Sequence, residues 1–229
     1  MVCKNSCIYE NLKQDRKIYI LTLSYDIITY SYTMIEITKK EQEALLRIYK
    51  DFTHFYNANS LSKELEITQV GAMKLLKRFE KANILTGQRI GKSIVYKINI
   101  QEEFVQKLIA FALVNEASKY QRWKEEFKPL YEKARILLFY GSASRNYAQS
   151  RDIDIFIILK KNDVQEIDKE LEKIQSILPK KLHAIKSTKE DLIKNIKEKN
   201  TSMIEILKTA FVLHGCDEYM EVINGFAGF

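Results

Sequence analysis

The chain is poor in residues that interrupt structure, with 2 prolines and 7 glycines in 229 residues. That scarcity excludes a low-complexity or Gly/Pro-rich linker and implies a folded, helix-rich chain. Cysteine is also scarce. Cys3, Cys7 and Cys216 are too few and too oddly placed for a disulfide framework, and Cys3/Cys7 lack the second ligand pair of a structural zinc site. A reducing cytoplasm fits this usage best. Long apolar runs are missing too: the greasiest stretch, Ile18 to Tyr32, is broken by Asp26 and several hydroxyls. It falls short of a membrane helix and does not read as a signal peptide, so no membrane partner is expected.

What is present is ordinary for a globular protein, 46% apolar and 29% charged, with length enough for one large domain or two small ones. The net charge of +7 hints at a polyanionic partner. Most of the excess sits between Met34 and Ile100, where twelve Lys/Arg face seven Asp/Glu. A nucleic-acid signal belongs there. Residues 1–33 are an extension without clear definition: Ile18-Tyr-Ile-Leu-Thr-Leu and Ile27-Ile-Thr-Tyr are rich in β-formers but show no obvious partner strands. They read as a segment ahead of a natural start at Met34, or as a loose tail.

From Met34 the pattern is helical. Leu45, Leu46, Ile48 and Tyr49 mark a first helix, and Leu61 and Leu65 a second over about Ser60 to Glu66. Thr68 is a natural N-cap for a third helix to about Ala82, with Val70, Met73, Leu76 and Phe79 expected to face inward. Asn83 suits the left-handed residue that ends it. Two strands, Ile84 to Ile90 and Ser93 to Ile98, then flank Gly91-Lys92 as a tight hairpin.

The succession from Leu61-Ser-Lys-Glu-Leu-Glu-Ile-Thr-Gln-Val through Leu76-Lys-Arg-Phe-Glu-Lys-Ala-Asn-Ile-Leu resembles winged helix-turn-helix domains of transcription regulators, over residues 34–100. The resemblance implies a partner in double-stranded DNA. Gln69, Gly71, Lys74 and Arg78 would lie on the outward side of the third helix, with Arg89 and Lys92 on the wing. Lys77, Lys81 and Lys97 read as solubility charges. The alternative is a solvated basic face on a protein-binding winged helix. Residues 101–134 read as a helical connector whose apolar face, Phe104, Val105, Leu108, Ile109, Phe111 and Ala112, packs on its own domain or on a second subunit, leaving a homodimer open.

From about Arg135 the residues carry chemistry. Arg135-Ile-Leu-Leu-Phe-Tyr is a buried-strand run ending at Gly141-Ser142, and a second run to Leu159 opens on Asp152-Ile-Asp154. Strand alternation puts Asp152 and Asp154 on one face, able to share divalent cations, while Ile153 and Ile155 point into the core. A glycine and serine at a strand end let backbone amides and a hydroxyl approach phosphate oxygens.

The motif Gly141-Ser-Ala-Ser-Arg-Asn-Tyr-Ala-Gln-Ser-Arg-Asp-Ile-Asp-Ile-Phe-Ile-Ile resembles the minimal nucleotidyltransferases of the DNA polymerase β superfamily. The tail Met203-Ile-Glu-Ile-Leu-Lys-Thr-Ala-Phe-Val-Leu-His-Gly-Cys-Asp-Glu-Tyr resembles the helical ending of such domains. The resemblance implies an α/β (α+β) chain overall: a winged helix, a connector, and over 135–229 a small polymerase-β-like domain with a mixed sheet and C-terminal helices. It implies Gly141 and Ser142 on the triphosphate, Arg145 assisting, and Asp152 and Asp154 as catalytic ligands of Mg2+ (or Mn2+), with ATP as donor. The acceptor, whether protein, RNA or small molecule, is not indicated.

This chain departs from the family pattern in three ways. Asn146 stands where a glycine is usual, in a loop one residue short, and Asn tolerates left-handed geometry. Arg151 replaces a small hydroxyl residue before the first aspartate and would grip phosphate or compete with metal. A third carboxylate is not evident: Lys181-Leu-His-Ala-Ile-Lys has no acid, and Glu190 and Asp191 come only afterwards. His183 could substitute as base or ligand, though a packed or exposed histidine is the simpler expectation. His54 and His214 read as packing residues. The functional expectation is transfer of a nucleoside monophosphate to an acceptor hydroxyl, coupled to DNA binding. The alternative is a DNA-binding regulator with a weak or inactive nucleotide-sensing domain; an antitoxin that modifies or masks a toxin follows only from family habit.

Overall fold

The computed structural model describes residues 18–22, 33–160 and 164–226. Cys3, Cys7 and the β-rich Ile27-Ile-Thr-Tyr run lie outside them. The chain divides into two compact units, residues 1–39 and 40–229. In the first, β1 (Ile18–Thr22) pairs antiparallel with β2 (Thr33–Ile37), Leu21 opposite Met34. The partner strand that the sequence did not advertise is thus Thr33-Met-Ile-Glu-Ile, whose β-branched residues suit extended pairing. The helix expected directly after Met34 begins only at Lys39.

The second unit opens with α1 (Lys39–Lys50), which buries Ala44, Leu45, Ile48 and Tyr49. Asn57 caps α2 (Ala58–Glu64) through a reciprocal capping box with Ser60. The Thr68 hydroxyl accepts from the Gly71 amide at 3.1 Å to open α3 (Gln69–Lys81), and Asn83 closes it at φ 56°. The inward face of α3 is Ala72, Leu75, Leu76 and Phe79; Val70 and Met73 are 58% and 41% exposed. A strict three-residue repeat drifts around a 3.6-residue helix, so its early members turn outward. β3 (Leu85–Ile90) and β4 (Ser93–Ile98) form the wing around Gly91-Lys92, with Gly91 at φ 59°. A bridge between Tyr56 and Tyr96 adds a short third segment.

α4 (Glu103–Ala117) buries Val105, Leu108, Ile109 and Ala112, while Phe111 is 40% exposed. It leads to the short α5 (Gln121–Glu126), and Pro129 follows in a single 3-10 turn. The C-terminal sheet is mixed, ordered β7-β6-β5-β8, from β5 (Ala134–Tyr140), β6 (Asp152–Leu159), β7 (Lys181–Ser187) and β8 (Phe211–His214). β5 runs antiparallel to β6 and β8, whereas β7 runs parallel to β6 after the crossover α7 (Val164–Ile177). Trp123, Phe127 and Leu130, from the segment read as connector, bury themselves in this sheet's core beside Leu137, Phe139, Ile153 and Ile155.

α8 (Lys189–Lys197), α9 (Thr201–Thr209) and α10 (Cys216–Asn224) complete the domain. Gly215, at φ 76°, lies so close to Arg135 that a Cβ would stand 1.8 Å from its carbonyl oxygen. The winged-helix module docks on this domain through α1. Tyr49 donates to Asn224 at 2.8 Å, Lys208 pairs with Asp51 at 2.9 Å, and buried Lys50 pairs with Glu116 while donating to the Ala210 carbonyl at 2.8 Å. Among the described residues no helix is long and apolar enough to cross a membrane.

Candidate active site

The site forms where β5 ends against β6. Alternation along β6 leaves Ile153 and Ile155 fully buried and turns Asp152 and Asp154 to the other face. Tyr140 pairs with Asp154 across the antiparallel ladder, so the following residue, Gly141, meets that carboxylate. A Cβ at Gly141 would stand 2.1 Å from Asp154 Oδ2, and the residue sits at φ 76°. Glycine satisfies both demands at once.

The turn continues as α6 (Gly141–Arg145), closed by the Ser144 hydroxyl donating to the Gly141 carbonyl at 2.9 Å. Tyr120 donates to the Ser144 carbonyl at 2.6 Å. Ser142 and Arg145 are exposed. Asn146 is extended, at φ −149°, so the turn is made without the left-handed residue expected there. Lys180 anchors the loop to the first aspartate. Its ammonium donates to the carbonyls of Tyr147 and Ser150 and to the Ser150 hydroxyl, with the Ser150 contacts at 2.6 and 3.1 Å. Nothing in the sequence around Lys180 marks this role, because its partners lie some thirty residues earlier.

The parallel register of β6 and β7 sets Asp152 beside Lys181 and Asp154 beside His183. His183 Nδ1 lies 3.4 Å from Asp152 Oδ2 and 3.6 Å from Asp154 Oδ1. One ligand atom from each of the three residues falls within 4.8 Å of the others. This is the only such group among the described residues, and it contains no third acid. Two carboxylates and an imidazole on one half-buried face are a donor set that fits a divalent cation. Burial, then the charge of Asp152, raises the Asp154 pKa, and His183 partly offsets this. Burial and both carboxylates push the Tyr140 hydroxyl up to about 12. Arg151 is exposed, and neither it nor Arg145 has an ion-pair partner among the described residues.

On the winged helix, Gln69, Lys74 and Lys92 are exposed, Gly71 is half-buried, and Arg89 is exposed on β3. Arg78 is tied to Glu41 of α1, and Val70 and Met73 share the outward face. Lys97, read as a solubility charge, is instead buried, with its ammonium 5.3 Å from the Phe55 ring centroid. His54 is exposed, edge-on to Tyr56, and His214 stacks on Tyr131 at 4.3 Å.

The family model described as "Nucleotidyltransferase domain" matches residues 121–214. No curated protein matches. Among solved structures, the chain is similar to the adhesin competence repressor (AdcR) from Streptococcus pyogenes. That match has 14% identity over 41% of this chain and 67% of that chain, with a TM-score of 0.33. It is also similar to two mutants of ZitR from Lactococcus lactis. One is 14% identical over 41% of this chain and 64% of that chain, the other 15% over 46% and 69%, each with a TM-score of 0.32.

Proposed function

We propose that the C-terminal domain is a metal-dependent nucleotidyltransferase that moves a nucleoside monophosphate from a triphosphate, ATP by preference, to an acceptor hydroxyl. The observation that carries this reading is the convergence of Asp152, Asp154 and His183 beside the Gly141 turn. Asp152 and Asp154 would hold Mg2+ or Mn2+, with His183 as the third ligand in place of an acid. When bound, the cation neutralises charge on the attacking and leaving oxygens of an in-line displacement.

The chain's own groups do the rest. Gly141 lets the Asp154 carboxylate come up against the turn, and Ser142, exposed at the start of the turn, offers a hydroxyl to a phosphate oxygen. Arg145, which has no ion-pair partner among the described residues, supplies positive charge toward the phosphates. Lys180 holds the Asn146–Arg151 loop so that Asp152 enters β6 in register. The winged helix would carry double-stranded DNA, with Gln69, Gly71 and Lys74 on α3 and Arg89 and Lys92 on the wing; Arg78 contributes only if it leaves Glu41.

A regulator that senses nucleotide without turnover is the second reading, and the missing third acid favours it. General-base assistance is worth about 10²- to 10⁴-fold, and a histidine engaged by metal cannot supply it. Incubation with each α-labelled triphosphate, Mn2+ or Mg2+, and candidate acceptors tests the first reading. Label transfer that disappears in the Asp152→Asn/Asp154→Asn protein supports it. Metal-dependent binding with no transfer, beside salt-sensitive binding to specific DNA, establishes the regulator instead.

A further inference from the structure

Next to the Gly141 turn, on the side of α1, lies a cavity of about 280 Å³ with walls from both modules. Arg47 and Lys50 come from the winged helix, Arg145 and Lys208 from the nucleotidyltransferase domain, and Glu43 and Glu116 are the only acids. Its volume is just below the roughly 300–1,000 Å³ of small-molecule pockets, room for phosphates more than for a whole nucleotide.

The four cations are not equally engaged. Lys50 is held by Glu116 and the Ala210 carbonyl, and Lys208 by Asp51. Among the described residues Arg47 pairs only with the exposed Glu64, at 3.6 Å, and Arg145 has no ion-pair partner. An exposed pair of that kind is worth little and is readily released. Two guanidinium side chains without strong partners therefore line one cavity of mixed polarity, and their forks match phosphate oxygens.

We propose that this cavity is an anion subsite for a phosphate chain, gripped by Arg47 and Arg145, so that the winged helix forms one wall of the nucleotide site. The proposal rests on the reading that a triphosphate lies across the Gly141 turn. It has a structural consequence, because α1 also holds Arg78 of α3 through Glu41. One helix then contacts both the phosphate chain and the helix offered to DNA.

The test is calorimetric titration of inorganic tripolyphosphate into the full chain in the presence of EDTA, which leaves the aspartate site without metal. Arg47→Gln and Arg145→Gln should each weaken binding about tenfold or more. Arg47→Lys, which keeps the charge and the docking of α1, should retain part of it, and Asp152→Asn/Asp154→Asn should bind no more weakly than wild type. Binding unchanged by Arg47→Gln overturns the proposal. So does binding that is lost only in Lys74→Gln/Lys77→Gln, which places the anion on α3. Tripolyphosphate bound through Arg47 without any metal-dependent ATP binding keeps the subsite and removes the transferase reading. ATP binding that needs both aspartates and ignores Arg47 does the reverse.

Discussion

Replacing His183 by Asp asks whether this strand completes the proposed metal site. The imidazole Nδ1 lies 3.4 and 3.6 Å from oxygens of Asp152 and Asp154. A carboxylate in its place brings three negative charges together. Each new pair repels by about 1 kcal/mol in water and about 4 kcal/mol at an effective dielectric constant of 20. The three side chains are 34%, 20% and 44% exposed, which puts the site toward the watery end of that range. The two new pairs should then cost about 2 to 3 kcal/mol in the metal-free protein. Divalent binding relieves that repulsion, so Mg2+ should bind about 30-fold tighter or more to His183→Asp than to wild type. Mn2+ gains the same electrostatics but loses a nitrogen donor that transition metals accept more readily than Mg2+ does. The preference for Mn2+ over Mg2+ should therefore fall by about tenfold. Calorimetric titration with each ion, checked by the spin-resonance signal of free Mn2+, measures both affinities. An unchanged preference would remove His183 from the metal site.

Gly141→Ala should lose about 1–2 kcal/mol of stability from its left-handed backbone but abolish metal binding, because its Cβ displaces the Asp154 carboxylate; retained affinity in the titration contradicts this. Gly215→Ala meets a backbone carbonyl that cannot swing aside, so thermal melts should show a loss of about 3 kcal/mol or more. Lys50→Ala strips Glu116 of its buried partner and should cost about 3 kcal/mol in urea unfolding. Lys50→Met with Glu116→Gln should cost clearly less, and equal losses would show that packing rather than charge decides. Burial holds the His214 pKa below its ordinary value, so on acidification the unfolded chain takes up a proton first. Stability should be fully present above about pH 6.5 and decline below it. His214→Gln should flatten the melting curve between pH 7.5 and 5.5, and matching slopes in the two proteins would refute the assignment.

Local chemistry was readable wherever the determinant lies within a few residues. Thr68 caps α3 because its hydroxyl reaches an amide three residues on, and Gly91-Lys92 makes a hairpin because two residues suffice. Asp152 and Asp154 share a face because strand alternation requires it. The outward turn of Val70 and Met73 has an equally local cause, since a repeat of three does not follow the helix. Other features depend on distant partners, which periodicity does not report. Trp123 enters the sheet's core, Lys97 on the wing strand β4 is buried against Phe55, and Lys180 closes a loop thirty residues behind it.

His183 marks the division most sharply. The sequence by itself determined that the candidate strand Lys181-Leu-His-Ala-Ile-Lys follows the acidic pair, and that no acid stands in it. Only the parallel register of β7 on β6 decided that this histidine lies beside Asp154 rather than one residue away on the opposite face. In the same way, sequence determined a helix-turn-helix with its hairpin and a Gly-Ser turn as separate units. The docking of α1 decided that Arg47 and Arg145 face one cavity, because such pairings are settled by packing between elements about a hundred residues apart.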